Sequence, residues 1–263
     1  MKTALCISGH LRTFNYTYSS ILENIIEPLN CDVFIHTWNV LGAPTGKNIG
    51  DINKQNDKTL NYLDLIDKTY APKLISIENG TSKLTEFIKE TSDIKVPSDE
   101  QQYVMTHIGL HISMFYSLFA ANNLKKEYEN ITGKYDLVIR LRPDLHFYEK
   151  LTFDRFEDKN SIYVPEIATY TNDGLNDQVA IGSSELMDKY CDIYNEVQNY
   201  YRHHKCTARP ESMIKYHLDN NKINYIKSDI KYDMWRLDGS VLRQQSMHAE
   251  FLPNINILNN HGN

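Results

Sequence analysis

The first half of the chain alternates apolar runs of strand length with segments of helical spacing. Four runs have the length of buried strands: residues 3–8, 31–38, 73–77 and 136–141. The segments between them predict a helix with an apolar stripe from Ile21 to Leu29 and Thr17 as its cap, a helix over 82–91, and a longer helix with a stripe from Val104 to Phe119. The polar stretch 42–58 lacks periodicity and predicts a loop. This order favours an α/β fold with a mostly parallel sheet flanked by helices.

The second half has a different pattern. Strands are expected near 161–164, 177–182 and 223–227, and helices near 184–202 and 210–219. Residues 230–263 have weak periodicity and end in an Asn-rich tail. We therefore predict one compact domain with two halves, residues 1–148 and a smaller C-terminal subdomain over 149–263.

Composition narrows the class of partner. A hydrophobic content of 41% in 263 residues is ample for a core, and the net charge of −6 with scattered Lys and Arg argues against nucleic acid. No run approaches the 18 apolar residues of a membrane span. Four cysteines far apart, without a CxxC pair, favour reduced thiols in the cytoplasm. A small-molecule or glycan partner in the cytoplasm fits these features.

The segment 135–145 is the strongest functional signal, because an apolar strand runs directly into charged residues. Arg140 lies within the strand and needs an anionic partner if it is buried. Pro143 ends the strand, so that Asp144 follows its carboxyl end, where open α/β sheets bind ligands. A carboxylate there can hold a divalent cation, and guanidinium groups such as Arg142 can bind phosphate oxygens. The alternative is a plain salt bridge between Arg142 and Asp144.

Two further segments end strands at the same side of the predicted sheet. Ser8, Gly9, His10 and Arg12 follow the first strand; Gly9 allows close approach of a ligand, and Arg12 offers a fork to phosphate. The segment lacks the spacing of dinucleotide or nucleotide-hydrolase loops, and a plain turn is an alternative. His36 and Trp38 end the second strand, where they bind ligand or belong to the core.

Together, the segments 6–12, 32–38, 135–145 and 176–182 resemble a group of bacterial and viral glycosyltransferases with a GT-A-type, Rossmann-like fold, over residues 3–190. The resemblance implies that residues 1–148 bind a nucleotide-sugar donor. The implied donor-binding residues are Ser8, Gly9, His10, Arg12, His36, Trp38, Arg140 and Arg142. Asp144 would be the metal ligand, for Mn²⁺ or Mg²⁺, at the last position of the family's Asp-x-Asp motif. Arg142 stands at the first position of that motif, which puts the metal in doubt and makes Arg142 a partial substitute for it.

The resemblance also implies that residues 149–263 face the acceptor. Asp177 is the candidate general base, with an Asx turn as the structural alternative, and Gln178 and Glu211 are candidate acceptor-binding residues. The expected activity is that of a hexosyltransferase-like enzyme of polysaccharide biosynthesis, which transfers a sugar to a glycan or lipid-linked acceptor. A non-catalytic nucleotide- or glycan-binding module is the alternative. A nucleotidyl or phosphoryl transferase is disfavoured, because a Gly-rich phosphate loop is missing.

Overall fold

The computed structural model describes residues 1–42, 62–94, 101–167, 174–206, 208–236, 240–243 and 249–251. The predicted loop over 42–58 lies outside these ranges except for Gly42, and the Asn-rich tail also lies outside them.

Strands and helices alternate in the first half of the chain, as the sequence predicts. The strands are β1 (Thr3–Ser8), β2 (Cys31–Trp38), β3 (Leu74–Glu78), β4 (Leu137–Leu141), β5 (Leu145–Phe147), β6 (Ser161–Pro165), β7 (Val179–Gly182), β8 (Asn224–Ser228), β9 (Tyr232–Trp235), β10 (Ser240–Arg243) and β11 (Ala249–Phe251). The helices are α1 (Phe14–Ile21), α2 (Leu63–Tyr70), α3 (Gly80–Glu90), α4 (Gln101–Thr132), α5 (Ser184–Cys191), α6 (Ile193–Arg202) and α7 (Pro210–Asn220). The sequence did not predict α2, β5 or the strands β9 to β11.

The main sheet has seven strands in the order β3-β2-β1-β4-β7-β6-β8. Of its described strands β7 alone runs antiparallel to its neighbours, which confirms the predicted α/β class with a mostly parallel sheet. The register pairs Ser8 with His36 and Ile7 with Leu141, so that β1, β2 and β4 end together at what we term the carboxyl edge. The chain leaves β1 towards β2 and β3 and returns to the other side of β1 at β4. In open α/β sheets, the crevice at such a reversal is the ligand site.

Both faces of the main sheet are covered, as its alternating side chains require. In β1, Ala4 and Cys6 pack into a core beneath α3, α4 and the helices α5 to α7. Leu5 and Ile7 point the other way, into a second core formed with α1, α2 and a smaller sheet. Because each strand is apolar on both faces, the sequence shows continuous apolar runs there.

Helix α1 begins earlier than the sequence suggests, at Phe14, and the predicted cap Thr17 lies inside it. The hydroxyl of Thr17 instead donates to the carbonyl of Pro143, just after β4. A π-helical segment, Leu22–Ile26, precedes Pro28. Since Pro28 has no N–H, the carbonyl of Asn24 is freed, and it accepts a hydrogen bond from the backbone N–H of Leu151 at 2.9 Å. In place of a hydrogen bond within the helix, the carbonyl of Asn24 thus bonds the chain that follows β5.

The smaller sheet has the order β11-β10-β9-β5 and is antiparallel throughout its described pairs. It joins the two predicted halves of the chain, because β5 belongs to the first and β9 to the second. Strands β6 to β8 likewise extend the main sheet that β1 to β4 begin. Among the described residues, no helix combines the length and the hydropathy needed to cross a bilayer.

A buried ion network fixes α4 to α5. The ammonium of Lys125 is fully buried, donates to Ser184 at 2.7 Å and Asp188 at 2.8 Å, and lies 3.4 Å from the carboxylate of Glu129. Lys134 contacts the same two carboxylates at 3.0 and 3.3 Å, but its side chain is 59% exposed. The two lysines thus share partners and differ in burial.

Lys125→Met should lower the free energy of unfolding by about 3–5 kcal/mol, because it leaves two carboxylates without their buried counter-ion. Lys134→Met, the matched control, should change it by about 1 kcal/mol or less, since water screens that pair. Urea denaturation of both variants measures the difference, and equal losses would contradict the assignment of Lys125 as the central charge of the network.

Candidate functional site at the carboxyl edge

The carboxylate of Asp144 is buried between two arginines at the carboxyl edge. Arg142 donates to it through Nε at 3.0 Å and Nη2 at 2.6 Å, and Arg12 donates to Oδ2 through Nη1 at 2.8 Å. The side chains of Arg142 and Arg12 are 16% and 29% exposed. The salt bridge considered as the plain alternative for Arg142 and Asp144 is therefore present, and Arg12 extends it across the point where the strand order reverses.

The charges of this group perturb one another strongly. Burial alone would raise the pKa of Asp144, but the charges of Arg142 and Arg12 outweigh it and lower the pKa to about 2. Burial would also lower the pKa of Arg142, yet Asp144 and, further away, Asp177 raise it above its usual value. The pKa of Arg12 is lowered by burial and by the charges of Arg142 and Arg236. Arg142 and Arg12 both stay protonated at neutral pH.

Arg236 was not predicted to belong to the site. It follows β9, is exposed, and lies close enough to Arg12 for their charges to interact. We call Arg12, Arg142 and Arg236 the arginine cluster. Only the pairing of β9 with β5, which begins directly after Asp144, brings Arg236 to this place, and no local motif in the sequence indicates it.

The loop after β1 has the backbone geometry of a binding loop. Gly9 has φ +118°, which favours glycine, and Arg12 has φ +44°, which is uncommon for a side-chain-bearing residue. The N–H of Arg12 donates to the carbonyl of Leu41 at 2.8 Å, which anchors the loop to the segment after β2. Backbone strain of this kind is held by surrounding contacts and is frequent at ligand sites.

His10, in the same loop, is neutral. Burial, with a contribution from the charge of Arg12, lowers its pKa to about 3. Its Nδ1 lies 3.1 Å from the carbonyl of Val40, which can only accept, so Nδ1 carries the proton and Nε2 is an acceptor. A neutral acceptor beside guanidinium groups suits a ligand hydroxyl.

Arg140 lies in the interior. Its Nε donates to Ser8 at 2.9 Å and its Nη1 donates to the carbonyl of Asp177. With Arg140 and Ser8 both 1% exposed, these residues join β1, β4 and the loop before β7. The sequence predicted an anionic partner for a buried Arg140, but neutral oxygens accept its hydrogen bonds instead.

The structure also places His36 and Trp38 in the core. His36 bonds to Ser117 of α4 at 2.8 Å and to Glu78 at 3.1 Å. Trp38 is 1% exposed and stacks on Tyr116 with 5.8 Å between ring centroids. Both side chains hold β2 against α4, and any effect on a ligand is through the position of the neighbouring loop.

The loop before β7 is fixed by Asn176 rather than Asp177. The side-chain oxygen of Asn176 accepts from the N–H groups of Gln178 at 2.9 Å and Val179 at 3.0 Å, which makes Asn176 the residue of the Asx turn. Asp177 is 8% exposed and lies near enough to Arg142 to raise its pKa. Gln178 is 1% exposed. The side chain of Glu211, at the start of α7, is buried, and its carbonyl accepts from Leu175 at 3.0 Å.

The side chains around Asp144 do not fit the divalent cation that the resemblance implies. Among the described residues, no group of three or more His, Cys, Asp or Glu is arranged to hold a metal. Both oxygens of Asp144 already accept from guanidinium groups. A cation would have to displace these bonds and approach two positive charges, whereas the same guanidinium groups suit phosphate oxygens.

Comparison with known proteins finds similar solved structures but no match to a protein family or to a curated protein. Among solved structures, the chain is similar to mouse xyloside xylosyltransferase 1 in its apo form, with 9% identity over 86% of this chain and 84% of that chain and a TM-score of 0.43. Agreement of this extent identifies neither a substrate nor a catalytic residue. The chemistry of the site therefore rests on its own residues.

Asp144→Asn should lower the free energy of unfolding by about 3–5 kcal/mol at pH 7, because two partly buried guanidinium groups lose their counter-ion. The carboxyl has a lowered pKa in the folded state, so its contribution is complete above pH 3.8 and is lost as pH falls towards about 2. The difference in the free energy of unfolding between wild type and variant should therefore be constant from pH 7 to about 5 and shrink between about pH 4 and 2.

Urea denaturation across this pH range measures the effect. Asp229→Asn, which removes an exposed partner of Arg155, is the control and should have little effect at any pH. A difference for Asp144→Asn that is small at pH 7, or unchanged down to pH 2, would contradict the ion-pair assignment.

Proposed function

We propose that the protein is a glycosyltransferase that takes a sugar from a nucleoside-diphosphate donor and transfers it to a glycan or lipid-linked acceptor. The observation that carries the proposal is that Asp144 holds Arg12 and Arg142 together where the strand order of a mostly parallel sheet reverses, with the charge of Arg236 near Arg12. Two guanidinium groups held on one carboxylate, with a third positive charge near Arg12, attract a ligand with more than one negative charge, and a diphosphate is such a ligand.

In this proposal the arginine cluster stabilises the departing diphosphate. Charge grows on the diphosphate as its bond to the sugar breaks, and preorganised guanidinium groups stabilise that charge most in the transition state. Asp144 keeps Arg12 and Arg142 in place through three hydrogen bonds. Neutral His10 accepts a hydroxyl of the donor at Nε2.

Asp177 supplies the general base in an inverting reaction. The acceptor hydroxyl forms a bond to the anomeric carbon as the bond to the diphosphate breaks, and its proton passes to the carboxylate. The electrostatic influence of Asp177 on Arg142 supports this role, because a base is needed near the groups that would bind the leaving diphosphate. Gln178 and Glu211, both nearly inaccessible, stay as secondary candidates for acceptor binding.

Arg236→Gln should weaken binding of a nucleoside diphosphate about 10-fold, since hydrogen bonds to charged groups contribute about 1.5–3 kcal/mol. Arg236 is exposed, so the substitution tests ligand binding with little risk to the fold. Thermal-shift titration with UDP, GDP, CMP and their sugars, in EDTA and with Mn²⁺, identifies the nucleotide and gives its affinity.

Arg202→Gln is the matched control, because Arg202 is a surface arginine of α6 paired with Asp93, and it should leave nucleotide binding unchanged. Binding should persist in EDTA. A wild-type protein that no nucleotide stabilises, or equal affinities for wild type and Arg236→Gln, would overturn the assignment of the arginine cluster to a diphosphate.

Asp177→Asn should reduce turnover about 10²–10⁴-fold and leave donor affinity within a few-fold, because asparagine keeps the shape but cannot take the proton. Release of the nucleoside diphosphate and calorimetry with the same donor separate the two effects. Asp154→Asn, at an exposed turn, is the control. Full turnover in Asp177→Asn would exclude it as the base, and nucleotide binding without turnover in the wild type would favour the non-catalytic module.

A further inference from the structure

The smaller sheet has one face in the core and one face turned away from it. Leu145, Phe147, Tyr232, Met234 and Leu242 pack into the core beneath the main sheet. Because strand side chains alternate, the intervening residues share the opposite face. We call it the outer face, and among the described residues its polar and aromatic members are His146, Tyr148, Asp233, Trp235 and Arg243. The register supports this grouping, since His146 and Arg243 are both direct partners of Asp233.

An aromatic strip runs along the outer face. Trp235 lies between Tyr16 of α1, at 6.3 Å between ring centroids, and His146, at 5.4 Å. The ring of Tyr148 continues the strip, 5.1 Å from His146 and nearly perpendicular to it. Tyr148 is 55% exposed, so its ring is accessible to a ligand.

Two ring nitrogens of this strip are buried without a hydrogen bond to any described residue, Nε1 of Trp235 and Nδ1 of His146. Burial lowers the pKa of His146, so its ring is neutral at pH 7 and Nδ1 donates or accepts according to the tautomer. An unsatisfied buried polar atom costs about 1–3 kcal/mol, and such atoms in a native protein commonly serve a ligand or water.

A cavity of about 260 Å³ adjoins the strip. Its walls include Tyr148, Asp233 and Arg243 of the outer face together with Lys231 and Glu149. Asp233 accepts a hydrogen bond from the hydroxyl of Tyr148 and lies 3.5 Å from the guanidinium of Arg243. The volume lies just below the usual range of about 300–1,000 Å³ for drug-sized ligands and suits a single ring.

The strip is continuous with the arginine cluster. The backbone N–H of Trp235 donates to the backbone carbonyl of Asp144 at 2.9 Å, and the backbone carbonyl of Trp235 accepts from the hydroxyl of Thr13 at 2.8 Å. Arg236, the next residue, belongs to the cluster. A ligand on the outer face would therefore lie beside a ligand bound by the arginines.

We propose that the outer face binds a pyranose ring of the acceptor. This proposal rests on the proposed transferase function and names the class of its acceptor substrate. A pyranose has an apolar C–H face for aromatic rings, and its hydroxyls both donate and accept around the whole edge. The outer face offers both features: the exposed ring of Tyr148 in the strip, and donors and acceptors in Trp235, His146, Asp233 and Arg243. A nucleobase presents only a few in-plane groups, and the charged pairs of the cavity wall would find few partners on it.

The two tryptophans of the chain provide the test. Trp38 is 1% exposed in the core, so a ligand-dependent change in emission reports on Trp235. Methyl α- and β-glycosides of glucose, galactose, mannose, xylose and N-acetylglucosamine are titrated into the full-length protein, with free nucleosides as the competing class. At least one glycoside should give a saturable change in tryptophan emission in wild type and in Trp38→Phe. No glycoside should give such a change in Trp235→Phe.

His146→Phe keeps the ring area and removes both nitrogens, so the affinity for that glycoside should fall about 3- to 10-fold, the effect of one neutral hydrogen bond. Melting temperatures without ligand establish that each variant is folded. If a variant does not fold, transfer of saturation from protein to glycoside protons in wild-type NMR spectra decides the same question. The proposal would be overturned if only nucleosides gave a saturable change in emission, or if none of the titrated ligands did.

Failure of this proposal is distinguishable from failure of the transferase function. Nucleotide binding in the thermal-shift titration without glycoside binding would leave the donor site standing and remove the acceptor subsite. Glycoside binding without nucleotide binding would support the outer face and overturn the transferase.

Discussion

The ion pairs of Asp144 hold the carboxyl edge together. One buried carboxylate receives three hydrogen bonds from Arg142, two residues before it, and Arg12, which lies beyond a strained loop after β1. The pairing fixes two guanidinium groups that would otherwise repel each other, and it does so where the sheet changes direction. The backbone carbonyl of the same residue accepts a hydrogen bond from the backbone N–H of Trp235 in β9, so both sheets meet at Asp144.

The same arrangement explains how a site with excess positive charge coexists with a stable core. Beneath the cluster, Arg140 is satisfied by neutral oxygens of Ser8 and Asp177, which removes the need for another buried carboxylate. Further along the edge, His36 is held between Ser117 and Glu78. Polar residues that end strands here thus divide into a buried set that positions loops and a partly exposed set that can meet a ligand.

The smaller sheet gives the site a second surface of different chemistry. The arginine cluster presents charge, whereas the outer face presents aromatic rings and paired polar groups within reach of a cavity. A charged leaving group and a hydroxyl-rich ring need these two environments side by side. Because β5 directly follows Asp144 and pairs with β9, the backbone itself sets the distance between them.

The sequence by itself determined the class of fold and the position of the charged motif. The long apolar runs predict strands because strands buried on both faces are continuously apolar. Pro143 marks the end of β4, since it has no backbone N–H to donate. The sequence did not predict the short strands β5 and β9 to β11, since three or four residues carry too little periodicity to distinguish a strand from a loop. Only tertiary structure could decide that Trp38 belongs to the core, that Arg236 lies near Arg12, and that Arg12 joins Arg142 on Asp144. Each of these depends on contacts between residues far apart in the chain, which local patterns do not encode.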